Sequence, residues 1–310
     1  MKLCRTRESL PRLVGPAGSV LTIGAYDGLH LGHRRILDRV LAEAAALGAD
    51  PTVMSFEPTP KEFFSGERPP ARLMRFREKF DALRDYGISG FFCPRFDHRM
   101  AGIGVREFVD DLLIRGLRVR HLVVGDDFRF AKKRSGSVDD LVVAGERAGF
   151  NVEQVPSVIV DGIRVSSSAV REALAAGDMS RARRLLGRDY RMSGRVVPGR
   201  RLGRSLGYPT ANVNLGRRQS PVLGIFAVRV DGLGRCLRDG VASVGTRPTI
   251  DGTEPLLEVH IFDFDEQIYG RYISVEFIAK LRDEARFPDL DALTEQMHRD
   301  AARARQILAA

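Results

Sequence analysis

The sequence has no tryptophan, only three cysteines and no long run of apolar residues. Cys4, Cys93 and Cys236 stand far apart, a spacing that matches neither a zinc motif nor a disulfide framework. The apolar runs have the length of strands, which is too short for a transmembrane helix. Residues 1–13 carry charge but no apolar segment before a cleavage site, so they do not predict secretion. Together these absences predict a cytoplasmic protein with reduced thiols and no membrane partner.

Lysine is also scarce, because only six of the 49 basic residues are lysine. The net charge of +9 arises within residues 181–218, which hold eleven arginines and a single acidic residue, Asp189. This basic stretch surrounds a glycine-rich segment rather than a recognition helix or an RNA-binding signature. A local basic segment suits polyphosphate at least as well as nucleic acid. The charge distribution therefore argues against a nucleic-acid partner.

The 310 residues are enough for two domains, and the pattern changes between the halves. The first half alternates predicted strands (21–25, 51–56, 90–93, 121–124) with predicted helices (34–47, 76–86, 105–113). This alternation predicts an α/β domain with a parallel sheet. Period-two runs from Tyr190 to Phe277 predict an antiparallel sheet or barrel, with strands at 225–230, 240–244, 256–262 and 273–277. A helix capped by Asp289 should follow. We place the domains at 1–184 and 185–310.

A glycine-rich turn joins the first of these strands to a helix. Backbone N–H groups at a helix start are unpaired and favour an anion, and glycine lets a ligand approach the backbone closely. Two imidazoles three positions apart can point at the same bound group. The turn therefore predicts a nucleotide-phosphate site, although a capped helix with surface histidines would show the same pattern. Its candidate residues are Gly24, Asp27, Gly28, His30, Gly32 and His33.

The second half carries its own candidate phosphate site. Thr210 and Asn212 offer neutral hard oxygens that suit Mg²⁺, although a simple Pro-Thr turn would look alike. Arginines interleave with three glycines at four-residue spacing, which suits a mobile flap over phosphates as well as a flexible basic hairpin. These glycines are Gly199, Gly203 and Gly207.

Four segments together resemble a known family. The turn at 24–33 resembles the first signature of the HxGH nucleotidylyltransferase superfamily, and residues 164–171 resemble its serine-rich second signature. Residues 124–130 resemble the strand-end motif of prokaryotic FAD synthetases, and residues 207–212 resemble the Pro-Thr-Ala-Asn motif of riboflavin kinases. In this order they resemble the bacterial bifunctional riboflavin kinase/FAD synthetases, from about residue 21 to 302.

The resemblance implies a fold, two reactions and several roles. It implies a Rossmann-like HxGH nucleotidylyltransferase domain followed by a β-barrel riboflavin kinase domain with a terminal helix. Riboflavin and ATP would give FMN and ADP in the barrel, and FMN and a second ATP would give FAD and pyrophosphate in the first domain, with Mg²⁺ as the metal. Glu258 would be the kinase base, and His30 and His33 would act in adenylyl transfer. The remaining implied nucleotide contacts are Asp127, Arg164, Ser167, Ser168 and Arg171.

Several residues, and the function as a whole, have more than one interpretation from the sequence. Phe64, Phe108 and Phe130 could stack on the flat flavin ring, although isolated phenylalanines more often belong to a core. Thr59 and Ala131 depart from residues common in relatives, and Thr59 removes an ionisable group near the first site. The alternatives are a chain with one working activity and a non-catalytic flavin- or RNA-binding regulator. The sequence also leaves a homo-oligomer open.

Overall fold

The computed structural model describes residues 1–66, 69–199, 207–249 and 252–310. These residues pack as two compact units. The amino-terminal unit comprises Met1–Pro70 and Arg75–Val165, and the carboxyl-terminal unit comprises Ala71–Met74 and Ser166–Ala310. Packing therefore assigns residues 166–184 to the second unit. The domain boundary at 184/185 stays a prediction about the chain's functional halves.

A six-stranded parallel sheet forms the centre of the amino-terminal unit, as the sequence predicts. Its strands are β1 (Lys2–Cys4), β2 (Ser19–Ile23), β3 (Asp50–Met54), β4 (Gly90–Phe92), β5 (Val119–Gly125) and β6 (Asn151–Val155). Their order across the sheet is β1-β4-β3-β2-β5-β6, and every neighbouring pair is parallel. The edge strands β1 and β6 were not predicted, because their short segments are partly exposed and polar. A hairpin of β7 (Ile159–Val160) and β8 (Ile163–Arg164) follows.

Helices flank this sheet and bury its apolar side chains. They are α1 (Leu10–Leu13), α2 (Leu31–Leu47), α3 (Pro60–Phe64), α4 (Phe76–Asp85), α5 (His98–Ala101), α6 (Val105–Glu107) and α7 (Val138–Ala148). The helix predicted at 105–113 is only one α-helical turn, and a π-helical segment, Phe108–Gly116, continues it. This segment buries Phe108, Val109, Leu112 and Leu113 in the core, so tertiary packing overrides the simple α-helical pattern.

The carboxyl-terminal unit is a closed antiparallel barrel with helices at both ends of its sequence. Helices α8 (Ser167–Ala175) and α9 (Met179–Leu186) precede the barrel. The strands are β9 (Tyr190–Val197), β10 (Ala211–Asn214), β11 (Gly224–Asp231), β12 (Arg238–Thr249), β13 (Gly252–Ile261) and β14 (Tyr272–Arg282). They close in the order β10-β13-β12-β11-β14-β9. The predicted antiparallel architecture is therefore confirmed.

The terminal helix α10 (Leu290–Leu308) packs on the barrel. Asp289 caps it, as predicted, by accepting the Ala292 N–H at 2.8 Å. Ala304 and Leu308 of α10 are buried against Phe262 and Leu281 of the barrel. Among the described residues, no helix combines the length and apolar character needed to cross a membrane.

Candidate functional sites

The glycine-rich turn after β2 is anchored by a buried tyrosine. The Gly24 N–H donates to the Met54 carbonyl of β3 at 3.0 Å, which ties the turn to the next strand. Tyr26 turns inward with a φ of 50°, and its hydroxyl shares a 2.6 Å hydrogen bond with Thr22. Burial raises the pKa of Tyr26, so the phenol stays neutral. Gly28 has a φ of 92°, a conformation that glycine adopts without strain. The loop is therefore a rigid entry to α2.

His30 and His33 form a stacked pair at the start of α2. His30 is the N-cap, and its Nδ1 accepts the His33 backbone N–H at 3.3 Å. The two rings lie 3.7 Å apart between centroids, with an interplanar angle of 16°. A Cβ at Gly32 would lie only 3.2 Å from His30 Nδ1, so the glycine lets the capping imidazole fold over the helix start. The helix begins at Leu31, three residues before the predicted start, because His30 itself caps it.

His33 has the chemistry of a ligand-binding imidazole. Its Nδ1 is buried, and no hydrogen bond to that atom exists within the described part of the chain. Burial lowers the pKa of His33 well below its usual range, and the neighbouring His30 and Lys79 lower it further. The ring is therefore neutral at neutral pH. Its unsatisfied nitrogen is suited to a hydrogen bond with a bound phosphate.

Lys79 is a charged residue near the histidines that sequence reasoning missed. It is only 2% exposed, although it lies in the amphipathic helix α4. Its ammonium group donates to Ser55 Oγ at 3.4 Å, and the Ser55 hydroxyl donates to the Ala25 carbonyl at 3.3 Å. A signal was present in the sequence, since position 79 falls on the apolar face with Phe76 and Leu83. Lys79 thus links α4 to the glycine-rich turn.

Arg164 and Asp127 meet in the amino-terminal unit, together with an unpredicted Asp126. The Arg164 guanidinium contacts Asp127 Oδ2 at 2.9 Å and Asp126 Oδ1 at 3.2 Å. Asp126 also accepts from the Ser157 N–H and hydroxyl, each at 2.9 Å, and these bonds are the largest cause of its lowered pKa. Arg164 is half-exposed, so an incoming phosphate would compete with two carboxylates for one guanidinium.

The rest of the serine-rich segment lies in the carboxyl-terminal unit. Ser166 caps α8 by accepting the Ala169 N–H at 3.1 Å. Ser167 and Ser168 occupy the first turn of α8, where backbone N–H groups lack helical partners. The Arg171 guanidinium donates to the Ala71 carbonyl at 2.6 Å. The serines thus serve as a helix start, and an anion-binding role for them stays a prediction.

The three candidate flavin-stacking phenylalanines differ sharply in exposure. Phe64 is 71% exposed and lies at the end of α3. Phe108 and Phe130 are 4% and 5% exposed, and both belong to the hydrophobic core beneath the sheet. Their rings pack together at 5.0 Å between centroids. This burial agrees with the alternative that they are core residues, and flavin stacking by Phe108 and Phe130 stays a prediction. Thr59 caps α3 through a capping box with Glu62.

In the barrel, the residues proposed for metal and base stand in adjacent strands. Asn212 of β10 pairs directly with Glu258 of β13, so both side chains project from the same face of the sheet. Ser243 of β12 pairs with Glu258 from the other side, a neighbour that sequence reasoning missed. Leu257 and Val259 are fully buried, which confirms the predicted alternation along β13. The fold thus brings Asn212 and Glu258 together.

Glu258 has the electrostatics of a proton acceptor. It is partly buried, and this burial raises the pKa of its carboxyl. Desolvation makes the carboxylate a stronger base than one in water. A cavity of about 180 Å³ opens beside Thr210, between Pro209 and the residues that follow β13, including Phe264, Asp265 and Tyr269.

The glycine-rich segment can be followed only in part. A Cβ at Gly199 would overlap the side-chain amide of Asn212, so only glycine lets the chain pass so close to it. Gly207 has a φ of 80°, a left-handed conformation typical of glycine. Gly203 lies outside the described residues. Within the described residues, no group of three or more His, Cys, Asp or Glu side chains is arranged to hold a metal.

Both halves of the chain match known families. A family model described as FAD synthetase matches residues 15–169. A second, described as riboflavin kinase, matches residues 186–308. The two matches occur in the order that the sequence motifs predict.

Full-length relatives carry a consistent name. The chain is 45% identical over 306 residues to the bifunctional riboflavin kinase/FMN adenylyltransferase of Escherichia coli (strain K12), covering 99% of this chain and 97% of the relative. It is 46% identical over 293 residues to the protein of the same name from Pseudomonas fluorescens, covering 94% of each. A solved structure named as a macrolide-efflux protein from Streptococcus pneumoniae shares 27% identity and a TM-score of 0.82 over 98% of both chains.

Proposed function

The chain belongs to the family of bifunctional riboflavin kinase/FMN adenylyltransferases, and we propose that it performs both reactions through the residues described above. The carboxyl-terminal half phosphorylates riboflavin with ATP, giving FMN and ADP. The amino-terminal half transfers AMP from a second ATP to FMN, giving FAD and pyrophosphate. The match of both halves favours two activities over a single one or a non-catalytic regulator.

The observation that carries the kinase proposal is the pairing of Glu258 with Asn212. In the reaction, the terminal ribityl hydroxyl of riboflavin attacks the γ-phosphorus of ATP, and the bond from that phosphorus to the bridging oxygen of ADP breaks. A base must accept the hydroxyl proton. Glu258 is suited to this role because burial raises the pKa of its carboxyl above the usual value.

The donor set beside Glu258 fits a hard cation. Thr210 and Asn212 supply a hydroxyl and an amide oxygen, which are ligands that Mg²⁺ accepts in nucleotide sites. Gly199 leaves the Asn212 amide room that any larger residue would fill. Bound there, Mg²⁺ would neutralise charge on the ATP phosphates. Gly199, Gly203 and Gly207 would let the chain approach those phosphates closely.

The adenylyl transfer needs no covalent enzyme intermediate. An oxygen of the FMN phosphate attacks the α-phosphorus of ATP, and pyrophosphate leaves. His30, His33 and the start of α2 would stabilise the charge that builds on the phosphate oxygens. The buried, unsatisfied Nδ1 of His33 supports this role. Gly24, Asp27, Gly28 and Gly32 shape the same turn.

The finer roles in the amino-terminal half rest on the sequence resemblance. Arg164, Ser167, Ser168 and Arg171 would hold the departing pyrophosphate, and Asp127 would contact the nucleotide. The exposed Phe64 remains a candidate for flavin stacking. A cytoplasmic location is supported by the three cysteines, all of which are free thiols. A homo-oligomer stays open, and we propose no nucleic-acid partner.

A direct assay tests both reactions. The protein is incubated with riboflavin and MgATP, and the flavins are separated by chromatography over time. We expect FMN to appear first and FAD to follow, with ADP and pyrophosphate as coproducts. Supplied FMN should give FAD without riboflavin. FMN without FAD would leave only the kinase, and no turnover of either substrate would overturn the proposal.

A further inference from the structure

The terminal helix α10 contacts the segment that leads into Thr210. The Tyr208 hydroxyl and His298 Nδ1 share a 2.5 Å hydrogen bond. The Tyr208 ring also packs edge-on against both His298 and His260, with centroids 5.3 Å and 4.9 Å apart. His260 Nδ1 lies 3.0 Å from the Pro209 carbonyl oxygen, at hydrogen-bond distance. Tyr208 and Pro209 are thus held from two directions immediately before Thr210.

The same helix face also contacts the segment that directly follows β13. Arg305 follows His298 by two helical turns, so both side chains project from one face of α10. Its guanidinium forms two 2.9 Å hydrogen bonds with the carboxylate of Asp263. It also lies 4.2 Å above the ring of Phe262. Asp263 immediately precedes the cavity-lining residues 264–269.

We propose that α10 is a positioning element of the kinase site, in which Tyr208 and His298 form a clamp that orients Thr210 and Asn212 for the nucleotide. The inference rests on the proposed kinase site and goes beyond it, because the helix touches neither the proposed base nor the proposed metal ligands. Through two points on one face, the helix contacts the segment before β10 and the segment after β13. Loss of the clamp leaves the barrel strands paired but frees the segment before β10.

The test removes the two hydrogen-bonding groups of the clamp separately. Tyr208→Phe keeps the ring and its packing but loses the hydroxyl, whereas His298→Ala loses the partner. In each variant we expect the half-saturating Mg²⁺ concentration for riboflavin phosphorylation and the Kd of MgADP, measured by calorimetry, to rise about 3- to 10-fold, the range of one net hydrogen bond. The double variant should be no worse than His298→Ala, because both single changes remove the same hydrogen bond.

Matched variants separate positioning from stability. His298→Asn retains a hydrogen-bonding group near the Nδ1 position and should restore most of the affinity for MgADP. Arg299→Ala changes the next residue of α10, which pairs at the surface with Glu295 at 3.1 Å, and should change nothing. Conversion of supplied FMN to FAD should be equal in all variants, which controls for the amino-terminal half, and the melting temperature reports on the fold of the barrel.

Two results would overturn the clamp. One is a lower melting temperature in Tyr208→Phe and His298→Ala with no change in the Kd of MgADP. The other is additive losses in the double variant. A wild-type chain that binds MgADP but forms no FMN would count against the proposed reaction instead, because the binding measurement does not depend on turnover.

Discussion

Replacement of Glu258 by glutamine is the sharpest test of the kinase mechanism. The amide has nearly the same size as the carboxylate, so the pairing of β13 with β10 and β12 should persist. It cannot accept the proton of the attacking hydroxyl. A general base typically contributes about 10²- to 10⁴-fold to a rate. Because Glu258 is only partly buried, water can replace it in part, and we expect a fall in kcat of about 10²- to 10³-fold.

The same substitution should leave the barrel at least as stable as before. Burial raises the folded-state pKa of Glu258, so the folded protein binds that proton more tightly than the unfolded chain does. Stability from this group is therefore present at low pH and is lost as pH rises through the folded pKa. At neutral pH the charged carboxylate costs free energy that glutamine does not. We expect an unchanged or higher melting temperature together with lost kinase activity.

Glu276 provides the matched control for this experiment. It is a partly buried glutamate of β14, and burial is also the largest cause of its raised pKa. Glu276→Gln should likewise keep or raise the melting temperature but should not slow riboflavin phosphorylation. Both variants should convert supplied FMN to FAD at the wild-type rate. A Glu258→Gln enzyme with wild-type kcat across the pH range would refute the assignment of the base.

Three further changes test other parts of the molecule. Lys79→Met should raise the pKa of His33, seen by NMR titration of the imidazole, because the variant removes a positive charge that lowers it; an unchanged titration would contradict this. Gly199→Ala should weaken Mg²⁺-dependent FMN formation about tenfold or more without affecting FAD formation from FMN, since the new Cβ overlaps the side-chain amide of Asn212, the proposed metal ligand. Asp300→Ala should destabilise the barrel by about 1–3 kcal/mol in denaturant unfolding, because the partly buried Arg282 guanidinium, now 2.8 Å from Asp300, loses its carboxylate partner and keeps its bond to the Asp283 carbonyl; an unchanged free energy of unfolding would count against this.

Local sequence patterns predicted strands and helices correctly where each element buries a single apolar face. The alternation along β13 correctly placed Leu257 and Val259 inside and Glu258 outside. The predicted strands of the parallel sheet lie within about two residues of their observed positions. The short edge strands escaped prediction because one exposed, polar side leaves no continuous apolar signal.

Local patterns could not decide burial or contacts that depend on distant residues. Phe108 and Phe130 belong to the core because a π-helical segment and the loop after β5 pack together, which no local spacing shows. The buried Lys79 of α4 donates a hydrogen bond to Ser55, which directly follows β3. Asp126 and Asp127 form ion pairs with Arg164 because the β7–β8 hairpin carries Arg164 back to them.

Sequence patterns were sufficient to predict the two-part architecture and the chemical groups available to each site. Hydrophobic periodicity and glycine placement are local properties, so strand, turn and helix could be deduced from neighbouring residues alone. Tertiary packing set which side chains lie together and how their pKa values shift. The register of β10 against β13 sets Asn212 beside Glu258, and desolvation in the folded barrel raises the pKa of that glutamate. Both effects require the whole fold, because proximity and burial arise from residues far apart in the chain.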